Sequence, residues 1–172
     1  RASDLALAQQ RGDAILQALE SDTGESRSAA LGEIATEGSA VSTLVGLFRA
    51  SELVMMQDPA AASDVLAALI GQESISDDYS DLALFKQLLL EGSGLDASAR
   101  RSGFEQLSAA GNPLRLLAQE QLALLDLQEN DETAAVERLR DLLQDAEMTQ
   151  NLRQRLGQLM VALGQDPNAL DG

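Results

Sequence analysis

Two stretches of this chain, 73 residues apart, follow one plan, and that constant offset limits what the chain can fold into. Ala50 matches Ala123, Asp58 matches Asp131, Ala61-Ala62 match Ala134-Ala135, Leu66 matches Leu139, and Leu69-Ile70 match Leu142-Leu143. Self-similarity at a fixed period marks a repeat architecture, in which a single unit cannot bury its own apolar face and stacking supplies the core. An offset of 73 corresponds to two units of roughly 36 residues each. The unit between them then has its small residue at Ala83 and its second-helix anchor at Phe104. Those two lie further apart than their counterparts in the flanking units, and the surplus falls on Glu91-Gly-Ser-Gly-Leu-Asp96 as a longer turn.

Each unit is expected to be a pair of helices. Apolar residues recur at helical spacing almost throughout, and no stretch alternates as a strand would. The prolines fall at boundaries, as Asp58-Pro59, Asn112-Pro113 and Asp166-Pro167. In each pair the Asx side chain can cap a helix start, and proline at the first helical position gives up an N–H that had no partner. Further starts are expected at Ser26, Ser76, Asp96, Asp131 and Thr149, and glycine breaks at 24, 38, 71, 92, 94, 111 and 164. The pattern predicts nine helices, over 3–20, 27–37, 40–56, 59–71, 77–91, 97–109, 113–129, 132–145 and 149–163. Connections this short make neighbours antiparallel.

Small residues mark where the helices meet. Ala50, Ala83, Ala123 and Gly157 let the first helix of a pair approach its neighbours, and Ala62, Ala135 and Ala169 do so on the second. At the C-terminal end, Leu156-Gly157, Met160, Gly164 and Ala169 have the spacing of a tetratricopeptide (TPR) repeat, and Leu122-Ala123 with Ala135 repeat it 34 residues earlier. Arg49 and Asp126 stand where large apolar residues are expected. The fold class that follows is all-α: a right-handed α-solenoid of stacked antiparallel helix pairs, TPR-like, in one domain over 1–172. Its approximate units are 1–38, 39–75, 76–111, 112–147 and a partial 148–172.

Over about residues 40–165 the chain also resembles a particular family, the bacterial TPR-like proteins related to the ancillary subunit of the Sec translocon. The resemblance rests on Ala109-Ala-Gly-Asn-Pro-Leu-Arg115, Glu120-Gln-Leu-Ala-Leu124, Asn130-Asp-Glu-Thr-Ala-Ala135, Leu142-Leu-Gln-Asp145 and Leu152-Arg-Gln-Arg-Leu156. Relatives usually carry an aromatic residue where Leu114 stands here. Members have one N-terminal transmembrane helix and an acidic periplasmic domain. The resemblance therefore implies an inner-membrane anchor, a periplasmic location, and protein partners such as a translocon or chaperone. It carries no catalytic residues across.

The balance of charge narrows the alternatives. Twelve Lys and Arg stand against 28 Asp and Glu, a net charge of −16. Such a chain lacks the clustered cations that phosphate backbones and anionic membrane surfaces need, so no nucleic-acid partner is expected. With no His and no Cys, imidazole and thiolate chemistry is absent from metal sites and catalysis alike. Asp77-Asp78-x-x-Asp81 lacks the alternating oxygen ligands and turn glycine of a calcium loop, and suits the first turn of a helix instead. Tyr79, Lys86 and the many carboxylates form no distinctive catalytic pattern. The expectation is no enzyme, no metal and no cofactor. A carboxylate clamp for acidic peptide tails is also disfavoured, because Arg49, Lys86 and Arg115 are scattered.

What remains is binding of proteins or extended polypeptide segments. In TPR geometry the first helix of each pair lines the concave surface. Counted from the small anchors, Leu44, Leu47, Val54, Met55, Leu84, Leu88, Leu117, Leu124 and Leu127 face it. Leu and Met make a surface that adapts to varied partners. The same residues fit an ordinary core, or a face covered by helix 3–20. A soluble, cytoplasmic adaptor or self-assembling homo-oligomeric scaffold with no membrane link is the alternative reading. A carboxylate-based enzyme comes third.

Overall fold

The computed structural model describes residues 2–34, 40–72, 75–90 and 95–167. Among them are nine α-helices and no strand. They are α1 Ala2–Leu19, α2 Gly24–Gly32, α3 Ala40–Met55, α4 Pro59–Ile70, α5 Asp77–Leu89, α6 Ala97–Leu107, α7 Arg115–Gln128, α8 Glu132–Leu143 and α9 Gln150–Ala162. Consecutive helices pack on one another within two compact units, Arg1–Leu95 and Asp96–Gly172. The boundary between the units falls inside the expected repeat 76–111. The longer turn expected there lies largely outside the described residues, as do Gly38 and Ala169.

The 73-residue offset extends well beyond the hairpin that revealed it. The helix α4 shifted by 73 gives the bounds of α8, and α5 gives those of α9. The starts of α2 and α6, and the ends of α3 and α7, obey the same shift. The second unit is thus a four-helix repetition of the first unit's α2–α5, with α1 as an addition at the front. Buried positions repeat too. Ala62, Ser63, Leu66 and Leu69 on α4 are matched by Ala135, Val136, Leu139 and Leu142 on α8. Ala50, Leu66, Leu69 and Ala83 share one core cluster, and Ala123, Leu139, Leu142 and Leu156, each 73 further on, share another.

The hairpin turns repeat down to single hydrogen bonds. At the end of α3 the Asp58 N–H donates to the Leu53 carbonyl and the Gln57 N–H to that of Val54. At the end of α7 the Asp131 N–H donates to Asp126 and the Asn130 N–H to Leu127. These are Schellman motifs, closed by a left-handed residue. That residue is Gln57 at φ 61° in one turn and Asn130 at φ 63° in the other. The next residue starts the following helix, since the Asp58 and Asp131 carboxylates accept from Ala61 and Ala134 N–H, each at 3.0 Å. One aspartate therefore ends one helix and begins the next, which reverses the chain in three residues. The same bonds close α9, where Gly164 has φ 72° and the Gln165 N–H donates to Met160.

Two expected helix starts are displaced, each for a local reason. Ser26 is not the cap of α2. Thr23 caps it, and Ser26 sits three residues on and returns a bond to the Thr23 N–H at 3.1 Å, completing a capping box. Asn112 does not cap α7 either. Its side chain accepts from the Leu114 N–H at 2.8 Å, an Asx turn that delays the helix to Arg115. One close contact was missed: a Cβ on Gly46 would lie 2.8 Å from Leu69 Cδ2, so α3 and α4 meet where glycine leaves room.

Ala135 is fully buried in this repeated arrangement. Ala135→Leu should lower stability by about 1–3 kcal/mol through overpacking, read as a fall in urea midpoint, with an unchanged midpoint refuting the packing described.

Candidate functional site

The helix α3 presents two opposite faces. Counting about 100° per residue, Leu44, Phe48, Ser51 and Met55 fall within an arc of about 60°. All four are exposed, with Leu44, Phe48 and Met55 at 40, 41 and 65%. Thr43, Val45, Leu47, Ala50, Glu52 and Leu53 occupy the other side and are buried against neighbouring helices. Val54 and Met56 are also exposed but lie off this arc, about 80° and 120° from Leu44, and Met56 follows the last helical residue. The first helix does not cover it. Through Ile15, Ala18 and Leu19, α1 packs in a cluster with Leu31 of α2 and Val45 of α3, on the buried side.

The expected concave set divides accordingly. Leu44, Val54 and Met55 are exposed, and Leu84, Leu117, Leu124 and Leu127 are half-buried. Leu47 and Leu88 belong to the core, a correction to the expectation for those two. Leu47 points into the cluster with Leu66 and Leu69, one-sixth of a turn away from Leu44. Helical spacing alone cannot resolve so small a rotation. Phe48 and Met56 were missed, although Phe48 stands one turn from Leu44 and would have been found by extending the stripe.

The repetition supplies an internal comparison for this strip. The counterparts of Phe48, Met55 and Met56 in the second unit are Gln121, Gln128 and Glu129. The corresponding helix forms there with glutamine at the places of Phe48 and Met55, so the helix does not require those two to be apolar, whereas Glu129 is held by Arg101 at 2.9 Å.

The buried carboxylates are the other candidate chemistry, and arginine accounts for each. In the first unit Glu52 of α3 lies 2.9 Å from Arg27 of α2, close but without hydrogen-bond alignment. In the second unit α7 is the hub. Asp126 accepts from Arg101 of α6 at 2.8 Å and from Arg138 of α8 at 3.0 Å. Glu120 makes a two-pronged, very short pair with Arg155 of α9. Arg115 bonds Asp145 at 2.8 Å and Glu147 at 2.7 Å. These pairs tie α7 to every other helix of its unit, and Arg101 is raised chiefly by its bond to Asp126. At the corresponding places the first unit has Leu53 for Asp126 and Leu47 for Glu120, while Leu125 stands opposite Glu52. The apolar residue expected at 126 is thus replaced by an acid held between two guanidinium groups.

Among the described residues no group of three or more Asp and Glu is placed to hold a metal ion. No described helix is long and apolar enough to cross a membrane. Two concavities lie in the first unit. One, of about 650 Å³, runs between α1 and α2 past Leu7, Arg11, Glu33 and Ile34. The other, of about 560 Å³, lies over Gly46, Arg49, Asp64 and Leu69. None of Glu52, Glu120 and Asp126 lines either. Compared with models of protein families, with curated proteins and with solved structures, the chain matches none.

Two tests follow from the ion pairs. Asp126→Leu should destabilise, because Arg101 and Arg138 lose their shared carboxylate. The first unit's own trio, introduced as Arg101→Ser with Asp126→Leu and Arg138→Val, should recover most of the loss in urea melts. If the triple variant were less stable than Asp126→Leu alone, the correspondence between the units would not extend to these positions. The second test concerns pH. The Arg115 bond, helped by the Glu147 N–H, holds the Asp145 carboxyl below its ordinary range. A depressed carboxyl contributes stability above its unfolded pKa of about 3.9 and loses it as pH falls through the folded value. The gap in melting temperature between wild type and Asp145→Asn should be constant from about pH 5 to 7 and close below about pH 4. A gap that persists at low pH would exclude the ion pair as its cause.

Proposed function

We propose that this protein is a non-catalytic protein-interaction module, a TPR-like right-handed α-solenoid of stacked antiparallel helix pairs that binds polypeptide segments. The observation that carries the reading is the repeated hairpin, with the same Schellman turn, the same Asp cap and the same buried Ala and Leu 73 residues apart. A chain that repeats one hairpin and leaves apolar side chains on its first helix extends a surface rather than enclosing a pocket. Glu52, Glu120 and Asp126, each beside an arginine, fit a structural role. By its resemblance to the translocon-associated TPR-like family, we further propose a membrane-anchored periplasmic setting near protein translocation or folding. A soluble adaptor or self-assembling scaffold is the alternative.

The test is binding of a permanently unfolded, uncharged polypeptide, followed by fluorescence anisotropy. Affinity should be roughly micromolar, because association and ordering consume most of the gain from apolar burial. It should survive about 0.3 M salt, since apolar burial is not screened as ion pairs are. Absence of binding at protein concentrations near 1 mM, or loss of binding with salt, would overturn the reading.

A further inference from the structure

The exposed strip on α3 has a direction as well as a composition. Leu44, Phe48 and Met55 run along one side of the helix over about 16 Å, at the rise of 1.5 Å per residue. Met55 and Met56 lie at its C-terminal end, where the helix's own carbonyls carry partial negative charge. Acidic side chains gather at that end. Met56 reaches the start of α2, where a Cβ on Gly24 would meet its Cγ at 3.1 Å. Asp22 and Glu25 flank that glycine, Asp58 follows Met56 by two residues, and all three are exposed. The arginine nearest to them, Arg27, is engaged with Glu52 and with the Ser21 carbonyl at 3.0 Å. Arg49 projects from another side of α3, toward Gly32. Across the first unit, 15 acidic residues stand against five basic ones.

We infer that this strip is the docking site for a basic amphipathic helix from a protein partner. The inference rests on the interaction-module reading and names both its surface and the chemistry of its partner. A straight apolar ridge with turn-by-turn spacing matches the apolar seam of a helix laid along it. Methionine at the ridge's end adapts to the shape of what it meets. The acidic rim and the helix C-terminus select lysine and arginine on the partner's flank, and repel an acidic helix. The second unit is the internal reference, because glutamine stands at the counterparts of both Phe48 and Met55 on α7. A second copy of this chain is a poorer occupant, since each copy brings a net charge of −16 to the contact.

The decisive variant transfers the second unit's residues into the first, as Phe48→Gln and Met55→Gln together. Three labelled synthetic helices of about 18 residues serve as probes: Leu/Lys amphipathic, Leu/Glu amphipathic, and Lys/Ser without an apolar face. Anisotropy is read with each at about 0.05 and 0.3 M salt, beside thermal melts and sedimentation of the protein alone. The wild type should bind the Leu/Lys helix at least about tenfold more tightly than the other two, weakening several-fold with salt without vanishing. The double variant should keep its melting temperature and lose about tenfold or more in affinity for that helix. Should the double variant unfold, Met55→Gln alone, at the more exposed position of the two, reads the same effect at about threefold. Unchanged binding by the variant, or equal binding of the acidic helix, overturns the inference. So does a wild-type dimer that the variant dissolves. If the unfolded polypeptide still binds in these cases, the interaction reading stands and only the assignment of the strip falls.

Discussion

Helix pairs in this chain are held at the separation that a methyl group allows. Aromatic residues make up only 2% of the sequence, so no large ring fills space between helices except Phe85 and Phe104 within the core. Contact must come from bringing backbones together. Ala50, Ala62, Ala83, Ala123 and Ala135 are buried almost completely, and Gly46 permits an approach that a Cβ would block. Leucines then interlock around these points, Leu66 and Leu69 in one unit and Leu139 and Leu142 in the other. The short aspartate turn belongs to the same constraint. Where α3 meets α4 and α7 meets α8, a left-handed residue followed by a capping aspartate reverses the chain in three residues.

Features fixed by local chemistry were legible from residues alone. Asp58, Asp96, Asp131 and Thr149 each accept a bond from an N–H three residues on, as their positions before apolar-periodic runs implied. Rotation about a helix axis was harder to read. Leu44 and Leu47 are equally apolar and differ by one-sixth of a turn, yet one is exposed and the other buried. What decides between them is which neighbours pack alongside, and no local signal records that. Asp126 was visible as a departure from the repeat. Its significance depends on Arg101 and Arg138, which reach it from two other helices.

The units solve the same packing problem with different chemistry. The first places Leu47 and Leu53 on its central helix and sets Glu52 beside Arg27. The second places Glu120 and Asp126 there and joins α7 to α6, α8 and α9 through arginine. Charge so placed adds little net stability compared with an apolar pair of the same shape, but it makes the wrong neighbour costly. Outside, the distribution is reversed. The first unit leaves Leu44, Phe48 and Met55 exposed, while the second has glutamine at the latter two positions.

That exchange of buried charge for buried leucine bears on how the chain reaches its native state. Tandem segments of equal length and matching pattern invite misassembly, in which a helix from one segment docks into the other. Here the central helices are not interchangeable. Placed among α6, α8 and α9, α3 would set Leu53 against Arg101 and Arg138 and strip both of their carboxylate. Placed among α2, α4 and α5, α7 would bury Asp126 beside Val65 with no arginine at position 28 or 65 to meet it. The second error leaves a buried carboxylate unmatched, a penalty of several kcal/mol against a total stability of about 5–15 kcal/mol, while the first costs less because both arginines are partly exposed. The arginine–carboxylate set thus makes an exchange of the two central helices unfavourable, although they are the most similar in pattern.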